Sequence, residues 1–247
     1  MKRVLRNSLV LSSALAALGP AGFSHAGDVT IFPSMIETRV PPGGDFTTVI
    51  RVVYTKDDSL DTAPLRILLD TEDWDMDPNG RLSFTAEPVA ERSVRPWVHY
   101  TPGEDEIVPG EEVFVRLSVV VPPDALPGEY RGALIAQPRA PYKPVKAGEK
   151  RLDLRLRLAT VLYIEVPPIE RGADLIGLEV RPNHENLWCV YPTFVNIGTG
   201  HLRIHDSFTV TPNTLAPGAP VIEMPFAESG VVLPGRHRTI EIPMLGG

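Results

Sequence analysis

Hydrophobic and polar residues alternate with a period of two in most segments of this chain that lie between turns. In residues 112–121, for example, Val113, Val115, Leu117 and Val119 share one parity. This period is typical of a β-strand with one buried face, and no helical or heptad period accompanies it. The pattern therefore predicts an all-β fold. Further strands are predicted over residues 46–54, 65–69, 130–136, 175–180, 189–197, 202–210, 221–226 and 238–242.

The longest alternating segment runs from Leu152 to Val166. Every second residue of this segment is apolar, with Thr160 as the exception. These apolar residues are Leu152, Leu154, Leu156, Leu158, Leu162, Ile164 and Val166. At ~3.3 Å per residue a single strand of this length would span about 50 Å, far more than an ordinary strand. We therefore expect it either to bend between two sheets or to overhang as an edge strand.

Proline and glycine separate the predicted strands from one another. The chain has 26 prolines, many of them beside glycine and between apolar segments. Such dipeptides form turns and exclude long helices, and short strands with regular turns indicate a sandwich. We predict two tandem immunoglobulin-like β-sandwiches, over residues 27–168 and 169–247, with Pro167-Pro168 ending the first.

The second predicted sandwich is short. From Leu175 to Gly247 there are 73 residues and about five predicted strands, whereas a complete domain of this type has about 100 residues and seven strands. We expect this sandwich to be incomplete, either because its last strands are missing from the chain or because a partner completes an edge.

The first 26 residues predict a cleavable signal peptide. Lys2, Arg3 and Arg6 precede a short apolar stretch over residues 9–18, and Ser24 and Ala26 are the small residues that signal peptidase requires. Since no run of about 18 apolar residues follows, we expect a periplasmic protein that does not insert into the membrane. The exported part has 21 Lys and Arg against 31 Asp and Glu, which argues against nucleic acid as a partner.

Reactive or metal-binding chemistry has little support in the sequence. Cys189 is the only cysteine and has apolar neighbours, so we expect a buried thiol, with pairing between chains as the alternative. Residues 75–80 have calcium-ligand spacing, but Ala86 stands where the closing carboxylate should be, and Asn79-Gly80 predicts a hairpin turn instead.

The two histidines His201 and His205 do not predict a metal site. On a strand they would lie about 13 Å apart. The alternation over residues 201–205 predicts an exposed histidine-bearing face, with Leu202 and Ile204 turned inward. Since no nucleophile motif or phosphate-binding loop occurs either, we expect no enzyme activity, no metal and no cofactor.

Several short motifs follow one another in a defined order along the exported chain. They are Thr38-Arg39-Val40 before a Pro/Gly turn, Arg95-Pro96-Trp97-Val98, residues 108–117 (VPGEEVFVRL), Gly128-Glu129-Tyr130-Arg131, the long strand ending at Pro167-Pro168, residues 194–198 (FVNIG) and Val232-Leu233-Pro234-Gly235. In this order the motifs resemble the PapD-like periplasmic chaperones, which assist the assembly of pili and related surface fibres. The resemblance covers nearly the whole exported chain, and it is the order of the motifs that makes it specific.

The resemblance implies a mechanism with two features. A basic pair between the two sandwiches holds the terminal carboxylate of a client, and the long strand lends alternating apolar side chains to an incomplete client sandwich. The arginine of that pair corresponds to Arg39, whereas Val161, Leu162 and Tyr163 stand where the lysine is expected.

The implied partner-binding residues are Arg39, Leu154, Leu156, Leu158 and Leu162. The leucines could instead pack in the core of this protein, and Arg39 could be an ordinary surface charge. We expect a chaperone-like protein that binds exported subunits of a pilus or surface fibre by strand donation. The alternative is a structural or adhesive immunoglobulin-like surface module, which the missing lysine favours.

Overall fold

The computed structural model describes residues 29–55, 64–87, 92–139, 156–204 and 230–244 with their side chains, and three short strands at 25–26, 207–210 and 222–225 by their backbone. The predicted signal peptide lies outside the described residues except for its last two. No helix with the length and apolar character of a membrane span occurs in the described part of the chain.

Residues up to Val166, which we call the N-terminal half, form eleven of the described strands. Only one turn of 3-10 helix, Arg95–Trp97, interrupts them in the described residues. The strands are β1 His25–Ala26, β2 Val29–Phe32, β3 Met35–Arg39, β4 Asp45–Tyr54, β5 Leu65–Met76, β6 Leu82–Thr85, β7 Val98–Thr101, β8 Glu104–Ile107, β9 Glu112–Val120, β10 Gly128–Arg139 and β11 Leu158–Val166.

The later residues, which we call the C-terminal half, contain shorter strands. They are β12 Ala173–Pro182, β13 Trp188–Asn196, β14 Leu202–Arg203, β15 Ser207–Val210, β16 Ile222–Pro225, β17 Val231–Val232, β18 His237–Thr239 and β19 Ile242–Pro243. The all-β prediction is confirmed. The strand predicted over residues 202–210 is described as two separate strands, β14 and β15.

The N-terminal half is a sandwich of two sheets. One sheet has the order β1-β2-β4-β9-β7, and the other has the order β3-β11-β10-β5-β6 with β8 beside β5. The chain changes sheets between β2 and β3, at Pro33 and Ser34, and β3 then pairs in parallel with β11. One apolar core lies between the two sheets, and β9 contributes to it the four residues predicted from its alternation: Val113, Val115, Leu117 and Val119, each at most 3% exposed.

The predicted long strand is shorter and more enclosed than expected. It begins at Leu158, since Leu156 and Arg157 precede the strand and residues 151–155 lie outside the described residues. It pairs with β10 on one side and with β3 on the other, so its described part is not an overhanging edge. Its second face, which carries Val161 and Tyr163, is also covered, by residues of the C-terminal half.

The C-terminal half is built around β13. In the described residues β13 pairs with β12 on one side and with β18 and β19 on the other, while β14 pairs with β17 and β15 with β16. Its core contains Val190, Ile240 and Ile242. Cys189 is a free thiol and fully buried, as predicted.

The Asn79-Gly80 turn is also confirmed. Met76 pairs with Leu82 across the hairpin of β5 and β6. Asp77 Oδ1 accepts hydrogen bonds from the backbone N–H groups of Asn79 and Arg81, at 2.9 and 2.8 Å. Gly80 has a φ of +85°, a left-handed conformation that glycine adopts without steric cost. The carboxylate of Asp77 is therefore used to close a turn.

Candidate binding site at the junction of the two halves

An apolar cluster joins the two halves. Leu233 of the C-terminal half packs against Trp74 and Tyr163, on the face of the β3-β11-β10-β5 sheet that points away from the sandwich core. The rings of Trp74 and Tyr163 meet edge to face at 5.1 Å, and the indole Nε1–H of Trp74 donates to the carbonyl of Gly132 at 2.9 Å. Buried contacts of this kind hold both halves against one surface.

A buried polar contact lies beside this cluster. Both the backbone N–H and the Nδ1 of His201 bind Oε2 of Glu129, at 2.8 and 2.5 Å, and the backbone N–H of Glu129 donates to the carbonyl of Thr199 at 2.9 Å. Nε2 of His201 lies 3.2 Å from Nη1 of Arg203 and 3.5 Å from Oε1 of Glu37, so the imidazole lies between charged groups of both halves.

The prediction of an exposed face at His201 is therefore wrong. The residue is 5% exposed, and Leu202 and Ile204 are only half-buried. His205 lies outside the described residues. Alternation separates the two faces of a strand, but it does not tell which face another part of the chain will cover.

Arg39 lies in a cleft of about 490 Å³ at this junction. Its Nη2 is 3.0 Å from Oε2 of Glu165, and its side chain is 59% exposed. Arg171, from the segment that connects the halves, binds the other oxygen of the same carboxylate. The structure thus brings a second guanidinium beside Arg39, from a segment in which the sequence predicted only a linker.

Glu37 and Arg203 also line this cleft. Arg203 donates to both carboxylate oxygens of Glu37, across the two halves. This hydrogen bond lowers the pKa of Glu37, although burial acts in the opposite direction. The cleft therefore contains three guanidinium groups whose carboxylate partners are supplied by the chain itself.

Tyr163 occupies the region in which the resemblance expects a lysine. It is 3% exposed, and its ring lies 4.6 Å from that of His201. Burial, with the nearby carboxylates of Glu129 and Glu37, raises its pKa to about 12. This position therefore contributes a neutral hydroxyl to the junction and no positive charge.

The predicted partner-binding leucines have different environments. Leu158 and Leu162 are completely buried in the core of the N-terminal sandwich, so in this conformation their side chains are unavailable to a partner. Their burial fits the core alternative, and a role as donor residues stays a prediction. Leu156 is half-buried before the start of β11, and Leu154 lies outside the described residues.

The first residues of β11 extend beyond the start of β3. Strand β3 pairs with β11 only from Val161 to Glu165, beginning at Met35. Residues 158–160 pair with β10 on their other side, and among the described strands none pairs with them on the β3 side. At the end of this stretch the Thr160 hydroxyl donates to the carbonyl of Pro33 at 2.7 Å, and the Val161 N–H donates to that of Ser34 at 2.9 Å. Residues 158–159, next to Leu156, are therefore the part of β11 that has no described strand paired on this side.

Three ligand-type side chains also come close together. One atom each of Glu129, Glu165 and His201 lie within 4.8 Å of one another, and all three residues are buried. Carboxylates and imidazole can bind transition metals. However, Arg39 and Arg171 already bind both oxygens of Glu165, and Oε2 of Glu129 binds His201. The arrangement serves as an ion-pair network within the chain.

Most residues of this junction could not be found from the sequence. Glu37, Glu129, Arg171 and Arg203 come from four separate segments and share no local motif. Only Glu129 could have been singled out, because it lies in Gly128-Glu129-Tyr130-Arg131, one of the motifs that resemble the PapD-like chaperones.

Comparison with known proteins gives a structural likeness only. No protein-family model matches the chain, and the curated proteins contain no match. The chain is similar in structure to fimbrial chaperones.

Three solved structures illustrate this likeness. A chaperone–tip adhesin complex of CFA/I fimbriae has a TM-score of 0.49 at 12% identity, over 86% of this chain and 85% of that one. The class 5 fimbriae chaperone CfaA has a TM-score of 0.47 at 13% identity, over 85% of this chain and 83% of that one. The CsuC–CsuE chaperone–tip subunit complex of Acinetobacter baumannii Csu pili has a TM-score of 0.47 at 13% identity, over 90% of each chain. At this level the likeness extends to the course of the backbone and not to the residues of a site.

Proposed function

We propose that the chain is a periplasmic chaperone-like protein that binds exported, β-rich subunits of a pilus or surface fibre by pairing with one of their strands. The observation that carries this proposal is that no described strand pairs with residues 158–159 of β11 on the β3 side. An open strand edge recruits an extended segment through backbone hydrogen bonds, whatever its sequence. The order of the motifs along the sequence supports the same function.

The client strand would lie beside residues 156–159. In this proposal Leu156 and Leu154 supply apolar side chains to the client, since Leu158 and Leu162 are occupied in the core. The buried leucines fix the position of β11, so that the segment before it leaves the sandwich in a defined direction. The donor segment is therefore shorter and closer to the N-terminal end of the predicted strand than the alternation suggested.

A carboxylate of the client would bind between Arg39 and Arg171. These two guanidiniums already hold the carboxylate of Glu165 between them, which indicates that their spacing suits a carboxylate. Each guanidinium has five N–H donors, so both retain donors for a second acceptor. Arg171 would thus supply the second positive charge that the strand itself lacks.

The alternative function is a structural or adhesive module. It is favoured by the engagement of Arg39 with Glu165 inside the chain and by the absence of a basic residue at positions 161–163. In that case the junction residues would only fix the two halves against each other, and no client would depend on them.

Purification of the protein from its native periplasm distinguishes the two functions. We expect a stoichiometric, small, exported β-protein to co-purify with the wild type, to be lost with Leu156→Glu and to be reduced with Arg39→Ala. The matched controls are Leu126→Glu, at a residue 67% exposed, and Arg66→Ala, whose side chain is 58% exposed and paired with Glu104. Equal recovery with all four variants, or no co-purifying protein, would support the structural module instead.

A further inference from the structure

Strand β12 forms one edge of the sheet in the C-terminal half. In the described part of the chain it pairs with β13 alone. All of its residues except Gly177 are exposed. Four of them are large and apolar, and each is 51–59% exposed: Leu175, Ile176, Leu178 and Val180. An exposed apolar edge of this kind is suited to pairing with a strand of another chain.

The backbone of β12 presents hydrogen-bonding groups at this edge. Leu178 lies opposite Pro192 of β13. Pro192 has no N–H, and its carbonyl accepts from the N–H of Ile240 at 3.0 Å, on the other side of β13. Opposite residues that do not bond each other in an antiparallel pair direct their N–H and C=O groups away from the partner strand. Leu178, and Val180 two residues later, therefore direct theirs to the open edge.

Two opposite charges flank Val180. The side chains of Glu179 and Arg181 are 72% and 54% exposed, and Arg181 Nε lies 3.3 Å from Oε2 of Glu179. The guanidinium also lies over the ring of Tyr191, 3.7 Å from the ring centroid. None of the described residues binds the Nη groups of Arg181. Their N–H donors are therefore free for a further carboxylate.

This order of residues is complementary to itself. When a second copy of β12 pairs antiparallel with Val180 opposite Val180, Glu179 of each copy lies opposite Arg181 of the other. Opposite charges in such cross-strand positions stabilise the pair. With Leu178 opposite Leu178, Glu179 would face Gly177 and no charge. With Leu178 opposite Val180, Glu179 would face Glu179, and like charges in this position destabilise the pair.

The ends of β12 limit the pairing to this segment. A β-bulge interrupts the register between Leu175 and Gly177, and Pro182 has no N–H to donate. Because the two-fold axis passes through Val180, each edge accepts one copy. The contact therefore closes as a dimer and does not continue into a fibre.

We propose that β12 is the contact surface of a homodimer, in which two copies pair antiparallel about Val180 and form ion pairs between Glu179 and Arg181. The inference does not depend on the proposed chaperone function, since none of the residues assigned to client binding lies in β12.

Charge reversal tests the contact, with the exported protein in sedimentation equilibrium. We expect the wild type to dimerise with a Kd between about 1 and 100 µM, since a short edge contact is small. Glu179→Arg and Arg181→Glu should each weaken the dimer at least about tenfold, because two attractive pairs become repulsive. An equimolar mixture of the two variants should form a heterodimer at close to the wild-type affinity, since every charge then meets its opposite. The control Glu106→Arg, at an exposed residue of β8, should leave the Kd unchanged.

Cysteine crosslinking tests the register. In a Cys189→Ala background, Val180→Cys should form a covalent dimer with oxidised glutathione, because opposite hydrogen-bonded residues lie about 5.5 Å apart between Cα atoms, which a disulfide spans. Leu178→Cys is the matched control, since its two copies would lie about 13 Å apart. The proposal is overturned by a wild type that stays monomeric up to about 500 µM, by charge variants that dimerise like the wild type, or by crosslinking of Leu178→Cys at the rate of Val180→Cys.

Discussion

Nδ1 of His201 lies 2.5 Å from Oε2 of Glu129, and the two side chains are 5% and 0% exposed, at the surface where the two halves of the chain meet. Glu129 belongs to the N-terminal sandwich and His201 to the C-terminal half. The contact therefore joins residues 72 positions apart in the sequence, in an environment from which water is excluded.

We expect His201→Ala to lower the free energy of unfolding by about 2–3 kcal/mol, because the buried carboxylate of Glu129 loses its side-chain partner and keeps only the backbone N–H of residue 201. Urea unfolding measures the change. The double variant His201→Ala/Glu129→Gln should recover part of the loss, since the buried charge is removed as well. His99→Ala, at an exposed strand position, is the control and should cost little. An equal loss in the two single histidine variants would contradict the role of the contact.

Tyr163 should make the folded protein less stable at alkaline pH. Its pKa is raised to about 12 in the folded protein, against 10 for a free tyrosine, so the folded state retains its proton where the unfolded state loses it. This contribution is complete below pH 10 and is lost as the pH rises towards 12, by roughly 2–3 kcal/mol. Tyr163→Phe should reduce this alkaline loss in urea unfolding series from pH 8 to 11. A variant with the same slope as the wild type would show that Tyr163 is not its cause.

Substitution of Leu162 should mainly lower stability, whereas substitution of Leu156 should mainly reduce client binding. Leu162 is completely buried, so Leu162→Ala should lower the free energy of unfolding by about 2–5 kcal/mol. Leu156 is half-buried outside the strand, and Leu156→Ala should cost less than about 1 kcal/mol while reducing client recovery. Chemical unfolding gives the first quantity and periplasmic co-purification the second. A larger stability loss at Leu156 than at Leu162 would contradict the assignment of the core.

Cys189 should be protected from thiol reagents in the folded protein. It is fully buried, and burial raises the pKa of its thiol, so little reactive thiolate is present or accessible. We expect the wild type to react with 5,5′-dithiobis(2-nitrobenzoate) about 100-fold more slowly than the urea-unfolded protein. Leu187→Cys in a Cys189→Ala background is the control, because Leu187 is 51% exposed. Reaction of Cys189 at the rate of this control would contradict its burial.

The local features of the fold could be read from the sequence. Alternation in β9 separated its buried residues, such as Val115 and Leu117, from the others, because the pleat of a strand sends alternate side chains to opposite faces. The turn at Asn79-Gly80 was likewise predictable, since glycine there needs no partner from elsewhere to adopt a positive φ. Both predictions depend on residues that are neighbours in the chain.

The junction depended on contacts that no local pattern contains. From its sequence pattern His201 resembles an exposed strand position, but in the structure β10 covers it. Likewise β11 resembles a strand with one buried face, but Leu233 covers its second face. Arg171 was one charge in a predicted linker and becomes the second guanidinium beside Arg39 only because both reach Glu165.

By itself, then, the sequence determined the all-β class, most strand positions, the turns and the burial of Cys189, because each follows from the geometry of adjacent residues. Only the tertiary structure decided which strand faces are covered by a second part of the chain, where the pairing of β11 with β3 begins and which charges meet at the junction. Those properties arise where segments that are distant in sequence pack together, and the energy of that packing depends on both partners at once.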